Sequence, residues 1–442
     1  SRPRVGGDYW QSWVGPSSDF ARLSQAVQSC GARMSAKIQA GCSHEMATVP
    51  HVPVPGLIYR KYQRMKALQC SHVVIGWYFG HYPSLMTRVA GQAGFHRQGE
   101  DEQAFLLRQA RLDWKHHAPT VMQAWQHFEQ AYGQYPFSIQ FQYYGPMHDG
   151  PVWPLYLEPA MLPMPRSWMD DGPGGDCIGE CLEDFTLPEA LLLADRMADG
   201  WRKGVDLLLP LLDEVNNDQL RRRDIGVARA VGIQLDSGRN ILRFYLLRQR
   251  LLAEEGDRAD TLAQLKAIVR KEIDNSAQLI LLCQDDPTLG FNPGECETYK
   301  YHPASLQQRI EQLQDLLTET FPRVEARLAS YGRIPGGRDD QPIYSLGQGW
   351  VNCDHFRWRM DQKGEDLIVA FECRMTGKRW ASLTVSLLDE YGTSWPWLIR
   401  VVSDKPATSE GWALVTLDHQ NEEVLSGQIR LSALAWWGQP QL

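Results

Sequence analysis

The sequence has no long apolar run and no surplus of positive charge. Its richest apolar stretch, "EALLLADRMADGWRKGVDLLLPLLDEV", is interrupted by charged residues, whereas a membrane helix needs about 20 predominantly apolar residues. The formal net charge is −8, and the basic stretch "LRRRDIG" is balanced by nearby acids. The interrupted apolar stretch predicts no membrane span. Because phosphate backbones attract basic surfaces, the negative net charge predicts no nucleic-acid partner.

Cysteine is scarce and shows no pairing pattern. The chain has nine cysteines in 442 residues, an odd and scattered set that favours a reduced compartment over a disulfide framework. It begins "SRPRVGGDYW", without Met and without the apolar core of an export signal. We therefore expect a cytoplasmic protein. The missing Met indicates a processed or truncated product, in which a signal upstream of Ser1 would not be visible.

The composition allows a substantial core. Hydrophobic residues make up 43% of the chain, and its length predicts two or three domains at roughly 100–200 residues each. We predict three: an α/β segment over 1–95, an α-helical domain over 96–335 and an all-β domain over 345–442.

The first segment alternates between strand and helix patterns. "RMSAKIQA" places Met34, Ala36 and Ile38 on one face, with polar residues between them, which is the period of a strand. "LIYRKYQRMKALQC" has helical spacing, and "SHVVIGWYFG" is a nearly continuous apolar strand of the buried parallel type. Together they predict a β-loop-α-β unit. The preceding "SSDFARLSQAVQSCGA" predicts a helix that Ser17 or Ser18 caps and Gly31 ends.

The middle of the chain has helical periodicity. One apolar stripe runs over six turns through Leu306, Ile310, Leu313, Leu317, Phe321, Val324 and Leu328. A long irregular insertion, "YPFSIQFQYYGPMHDGPVWPLYLEPAMLPMPRSWMDDGPGGDC", is rich in aromatic residues, proline and glycine. Loops of this length inside a compact domain are usually functional or disordered, and the aromatic content argues against disorder.

The last hundred residues have the pattern of a β-sandwich. A linker-like stretch, "YGRIPGGRDDQPIYSLGQG", is followed by six short strand patterns that turn residues separate: "HFRWRMD", "DLIVAFECRM", "WASLTVSLLD", "WLIRVVSD", "GWALVTLD" and "SGQIRLSALAWW". Its tryptophans are either core residues or platforms for sugar rings.

The stretch "QAGCSHEMATVPHVPVPG" has the composition of a site, because it holds titratable groups in a proline-rich segment longer than an ordinary loop. In a (β/α)8 barrel, catalytic groups lie at the carboxyl ends of the strands. If the alternation of the first strand continues, Glu45 points into a barrel mouth. The next strand pattern ends in Trp77 and Tyr78, followed by His81 and Tyr82 at the same rim.

Three segments resemble bacterial glycoside hydrolases that have a (β/α)8 barrel, a helical domain and a C-terminal sandwich: "AKIQAGCSHEMATVPHVPVPG", "VVIGWYFGHYPS" and "DDPTLGFNPGECETYKYHPASLQQRIEQL". The final hundred residues are similar to carbohydrate-binding modules. The resemblance implies a multidomain enzyme of carbohydrate metabolism whose 1–95 segment supplies the last strands of a barrel. It also implies a carboxylate at the end of the seventh strand, a position that Glu45 matches in this chain.

The predicted site follows from this resemblance and from the aromatic residues near it. Glu45 and His44 are the catalytic candidates. The second carboxylate that glycoside hydrolysis requires lies either on the missing barrel strands or at Asp149. The predicted substrate-binding residues are Trp77, Tyr78, His81, Tyr82, Tyr143, Tyr144, His148, Asp149 and Trp153. The aromatic insertion is expected to lie over the cleft that contains Trp77 and Tyr78. No cofactor or metal is predicted.

Three functions remain open. The favoured one is a glycoside hydrolase, or its C-terminal portion, which acts on an oligosaccharide or glycoside. The second is a non-catalytic carbohydrate-binding or scaffold protein, in which the incomplete barrel has no second carboxylate. The structural interpretation of Glu45 is that it caps a turn or pairs with Arg60 or Lys61. The third is a metal-dependent hydrolase with Cys42, His44, Glu45 and His51 as ligands, although the sequence lacks the HExxH spacing. Because residues 1–95 contain too few strands for a barrel, we expect an N-terminal half-barrel chain or a homo-oligomer partner to complete the sheet.

Overall fold

The computed structural model describes residues 9–41, 43–75, 82–95, 100–147, 150–157, 178–252, 256–292 and 298–331, and the strands of the C-terminal part between 350 and 441. The chain forms two compact units. The first consists of Ser1–Val152, Leu191–Asn240 and Asp274–Arg309, and the second of Trp153–Ala190, Ile241–Ile273 and Ile310–Leu442. The predicted domain limits stay predictions. None of the helices described is long and apolar enough to cross a membrane.

Helices make up most of the described chain. They are α1 (Ser18–Ser29), α2 (Pro55–Ala67), α3 (Leu85–Ala93), α4 (Glu102–Trp114), α5 (Ala118–Tyr132), α6 (Ile139–Tyr144), α7 (Leu187–Leu208), α8 (Leu211–Glu214), α9 (Gln219–Leu252), α10 (Arg258–Asp285), α11 (Pro303–Asp315) and α12 (Phe321–Tyr331). The predicted caps of α1 are confirmed: the Ser17 hydroxyl accepts a hydrogen bond from the Phe20 N–H at 3.0 Å, and Gly31 has a φ of 70°.

The predicted β-loop-α-β unit is confirmed. Strand β1 (Ser35–Ile38) pairs in parallel with β2 (His72–Ile75), and α2 lies between them in sequence. In β1, Ala36 and Ile38 are buried while Ser35 and Lys37 are exposed, so the predicted alternation holds over these four residues.

The prediction that the second strand is fully buried is wrong for its described part. Val74 is 54% exposed, and His72 is also exposed. His72 and Val74 alternate with the less exposed Val73 and Ile75, so the face of β2 that carries His72 and Val74 meets solvent. The described residues contain no closed barrel, and the (β/α)8 architecture therefore stays a prediction.

A buried carboxylate from α5 caps the N-terminus of α2. Glu129, on α5, accepts a hydrogen bond from the Gly56 N–H at 2.6 Å and lies 3.1 Å from a guanidinium nitrogen of Arg60. A Cβ on residue 56 would overlap this carboxylate, so a larger residue there would displace Glu129 from the Gly56 N–H. Burial raises the pKa of Glu129 to about 7, against the opposing effects of Arg60 and the Gly56 N–H.

Glu129 should make stability depend on pH. Because its pKa is raised in the folded state, the folded chain binds this proton more tightly, and stability is lost as pH rises from the ordinary glutamate value through about 7. Glu129→Gln has no such proton. Between pH 5 and 8 the variant should gain about 1–3 kcal/mol in unfolding free energy relative to the wild type, as measured by urea unfolding. An equal difference at both pH values would contradict the assignment; Glu325→Gln, from a surface ion pair with Lys266, is the control.

The predicted stripe of the last helices is only partly right. Leu306, Ile310, Leu313, Phe321 and Val324 are buried. Between α11 and α12, however, Leu316–Thr320 form a π-helical turn. The wider turn changes the helical phase, so Leu316 is buried while Leu317 is only half-buried. The side chain of Leu328 lies outside the described part.

The C-terminal part forms two antiparallel sheets. In one, the strand order is β11 (Leu414–Gln420), β12 (Val424–Arg430), β7 (Asp366–Arg374), β6 (Phe356–Lys363) and β5 (Val351–Asn352). In the other it is β10 (Thr408–Gly411), β9 (Ser394–Val402), β8 (Trp380–Asp389) and β13 (Pro440–Gln441). A hairpin of β3 (Phe291–Asn292) and β4 (Thr298–Tyr299) lies earlier in the chain. Each of the six strand patterns overlaps an observed strand, and the sandwich packing stays a prediction.

Candidate functional site

Glu45, the predicted catalytic residue, is fully buried. It lies on a single 3-10 turn, His44–Met46, and the Ser43 hydroxyl caps this turn by accepting from the Glu45 N–H at 3.2 Å. Strand β1 ends at Ile38, so its alternation does not extend to Glu45, and the orientation predicted from it is wrong. The turn follows from the sequence, because Ser43 is a good cap and the prolines beyond it prevent a longer helix.

The Glu45 carboxylate accepts hydrogen bonds from several donors. One oxygen, Oε2, accepts from the N–H groups of Gln11 and Ser12, both at 3.1 Å, and from the Ser43 hydroxyl at 2.6 Å. The other, Oε1, accepts from the Ser12 hydroxyl, and the Tyr132 hydroxyl lies 3.4 Å from Oε2. Burial raises the pKa of Glu45, and the hydrogen bonds from Ser12 and Ser43 oppose this rise. The carboxylate thus holds residues 11 and 12 against the turn.

Arg60 and Lys61, the two predicted ion-pair partners of Glu45, contact other groups. Arg60 pairs with Glu102 and Glu129, so the predicted ion pair between Arg60 and Glu45 is not formed. The Lys61 ammonium donates to the Trp10 carbonyl at 2.6 Å, and its charge acts to lower the pKa of Glu45. The interpretation of Glu45 as a residue that caps a turn agrees with these contacts.

His44, which precedes Glu45 in the chain, packs against aromatic rings, one of them the predicted Tyr143. The buried His44 ring lies 5.8 Å from the Tyr143 ring and 6.1 Å from the Tyr9 ring, measured between centroids. Tyr144 lies next to Tyr143 at 6.5 Å. Both tyrosines lie on α6, a helix within the insertion that the sequence predicted to be irregular. The helix forms because Ser138 caps it and Phe141 is buried beneath it.

The remaining predicted residues divide between the two units or are not described. Trp77, Tyr78, His81, His148 and Asp149 lie outside the described residues, as does Cys42. Trp153 is buried and belongs to the second unit. Tyr82 belongs to the first unit and lines an open cleft there.

This cleft has a volume of about 690 Å³. It is formed by the loop that precedes α3 and by parts of α3, α4, α9 and the chain after α10. Its lining consists of Pro50, His51, Tyr82, Pro83, Ser84, Leu85, Thr87, Arg88, Asp113, Leu220, Arg221, Arg223, Asp224, Val227, Asp286 and Thr288. Three arginines, three aspartates and a histidine therefore face the same space, beside a tyrosine and two prolines. Pockets with a few convergent polar groups are typical of small-molecule sites.

Two of the cleft's carboxylates share one arginine. Arg221 lies 3.1 Å from an oxygen of Asp113 and 3.2 Å from an oxygen of Asp224, and its guanidinium also stacks over the Trp114 ring at 5.5 Å. Arg88 forms a second ion pair with Asp113. Residues 221 and 224 are three apart on α9, so they share one face of the helix.

Asp224 titrates near neutral pH. Burial raises its pKa to about 7, although Arg221 opposes the rise, while 32% of its side chain remains exposed. The carboxyl thus exists in both protonation states around pH 7 and has access to the cleft. A strongly shifted group of this kind, in a cleft and next to a charged partner, marks a candidate acid or base.

His51 and Asp286 also line the cleft. His51 is buried, and burial lowers its pKa to about 4 even though Asp286 acts in the opposite direction. One oxygen of Asp286 accepts hydrogen bonds from the N–H and hydroxyl of Thr288, at 3.0 and 2.7 Å. His51 is therefore neutral at pH 7, which suits a hydrogen-bonding role.

The predicted metal ligands do not form a cation site among the described residues. Glu45 faces N–H and O–H donors, which is the opposite of what a cation requires, and His44 packs between aromatic rings. The metal-dependent hydrolase hypothesis thus has no support from this segment.

Sequence reasoning missed Asp113, Arg221 and Asp224. As a sequence, the stretch "LRRRDIG" is only a balanced run of charge. Its one usable signal is that an arginine and an aspartate three residues apart meet on a helical face. Their contact with Asp113 depends on the packing of α9 and α4, which the local pattern does not contain.

Comparison with known proteins gives little beyond this geometry. No family model matches the chain, and no curated protein matches it. One solved structure that matches is a GH138 enzyme targeting pectin rhamnogalacturonan II, with 9% sequence identity and a TM-score of 0.43 over 96% of this chain. The chain spans 57% of that enzyme's length. A likeness at this level carries no argument about fold or activity.

Proposed function

We propose that the chain is a glycoside hydrolase, or a portion of one, and that the cleft of the first unit binds the glycan. The observation that carries the proposal is the pair of carboxylates on Arg221, one of which, Asp224, has a pKa of about 7. Glycoside hydrolysis needs one carboxylic acid that keeps its proton near neutral pH and a second carboxylate that is ionised. The segments that resemble glycoside hydrolases support the same class.

Five of the cleft residues have roles in this proposal. Asp224 donates its proton to the departing glycosidic oxygen, and the carboxylate that remains is stabilised by Arg221. Asp113, held by Arg88 and Arg221, acts as the ionised partner, either on a water molecule or on the positive charge that develops at the sugar ring. Tyr82 supplies an aromatic surface at the rim.

A panel of glycosides tests the proposal. The purified chain is incubated at pH 6–7 with 4-nitrophenyl α- and β-glycosides of hexoses, deoxyhexoses and uronic acids, and with oligosaccharides whose new reducing ends are measured. We expect saturable hydrolysis of at least one sugar type. No hydrolysis, together with no binding on a glycan array, would overturn the proposal.

A second candidate is a carbohydrate-binding protein without catalysis. The full burial of Glu45 and its hydrogen bonds to the chain itself favour this alternative, because the carboxylate that the resemblance implies does not face solvent. Saturable binding on the array without hydrolysis would select it.

A further inference from the structure

The junction between α4 and α5 places two histidines side by side. Helix α4 ends at Trp114, Lys115 has a φ of 47°, and a 3-10 turn over Lys115–His117 leads into α5. The proline that follows Ala118 fixes the start of α5. As a result, the rings of His116 and His117 lie 3.8 Å apart between centroids.

A carboxylate meets both rings. Glu214 is the last residue of α8, and its Oε2 lies 3.2 Å from His117 Nε2 and 4.0 Å from His116 Nε2. The three potential ligand atoms all lie within 4.8 Å of one another. His117 is 15% exposed, whereas the side chains of His116 and Glu214 are mostly in solvent.

We propose that His116, His117 and Glu214 bind a divalent transition metal, with Zn²⁺ as the best fit. Imidazole nitrogen and carboxylate oxygen are its usual ligands, and a tetrahedron with bonds of about 2.0–2.2 Å separates them by roughly 3.3 Å. The distance between His117 Nε2 and Glu214 Oε2, 3.2 Å, already has this value, and the Nε2 of the exposed His116 ring lies 4.0 Å from the same oxygen. Mg²⁺ and Ca²⁺ prefer all-oxygen sites and are disfavoured.

The site has three protein ligands, so water completes the tetrahedron. None of the three residues lines the cleft, and the site is therefore separate from the proposed glycan-binding function. It connects α8 to the start of α5, two elements that are distant in sequence, and a bound ion stabilises the folded state in which they meet.

Isothermal titration of the whole chain with Zn²⁺ at pH 7.5 tests the proposal. We expect one high-affinity ion per chain. His117→Ala and Glu214→Gln should each weaken the affinity by at least about tenfold, because each removes one of three ligands. The exposed His116→Gln variant gives a third test that does not disturb packing. His72→Ala, which removes an exposed histidine on β2, should leave the affinity unchanged.

The EPR spectrum of bound Cu²⁺ identifies the ligand atoms. We expect hyperfine structure from two nitrogens, reduced to one in His116→Gln, which also distinguishes this site from binding to the exposed Cys30 thiol. Binding only at millimolar Zn²⁺, unchanged affinity in all three variants, or equal loss in His72→Ala would overturn the proposal.

Discussion

Replacing Glu45 with alanine is expected to lower the free energy of unfolding by about 3–5 kcal/mol. The carboxylate is fully buried, and its loss leaves the N–H groups of Gln11 and Ser12 and the Ser43 hydroxyl without their acceptor. Each unsatisfied buried donor costs about 1–3 kcal/mol, and the cavity adds to this. Urea unfolding of the purified variant measures the loss.

A conservative change separates stability from catalysis. Glu45→Gln keeps the shape, but one oxygen becomes an amide that faces donors, so we expect an intermediate loss of stability. Glu325→Ala removes a carboxylate from a surface ion pair with Lys266 and should cost less than about 1 kcal/mol. If Glu45→Gln retains the wild-type melting temperature while turnover of a 4-nitrophenyl glycoside falls by orders of magnitude, Glu45 is a nucleophile and its purely structural role is refuted.

Local patterns predicted the elements of the first segment well. Ser17 and Gly31 bound α1 because a side-chain cap and a positive φ are requirements of the residue itself. The alternation of Ala36 and Ile38 likewise reports which face of β1 is buried. In these cases the physical cause acts over a few neighbouring residues, so the sequence contains it.

The predictions failed where the cause lies far along the chain. The orientation inferred for Glu45 assumed that β1 continues, but the strand ends at Ile38 and the chain forms a 3-10 turn that distant donors at residues 11 and 12 hold in place. The exposure of Val74 depends on whether another part of the chain packs against its face of β2, which an apolar run does not reveal.

The cleft illustrates the same limit. Asp113 and Asp224 have no sequence relationship, and the pKa of Asp224 depends on how much protein surrounds it once α9 has packed. Tyr82 is the one predicted binding residue that lines the cleft among those the structure describes. Its position just after the second strand pattern was visible in the sequence, whereas its carboxylate neighbours were not.

Asp224→Asn is expected to lower kcat/KM by about 10²–10⁴-fold on a glycoside with an alkyl leaving group. An asparagine fills the same space beside Arg221 but has no proton to give to the glycosidic oxygen. The loss should be much smaller with 4-nitrophenol as leaving group, because this phenolate departs without protonation. Asp285→Asn is the matched control, since Asp285 also pairs with an arginine, Arg222, but does not line the cleft.

The pH profile of the wild type gives the second part of this test. The general acid works only when protonated, so activity should fall as pH rises through about 7, the pKa of Asp224. In Asp224→Asn this decline should disappear, while the acidic side of the profile, which reports the ionised partner, persists. A variant that keeps the alkaline decline, or that loses equal activity on both leaving groups, would remove Asp224 from the role of acid. The proton that sets the alkaline side of the pH profile is the same proton that Asp224 gives to the leaving group. The leaving-group dependence and the pH profile must therefore change together in Asp224→Asn.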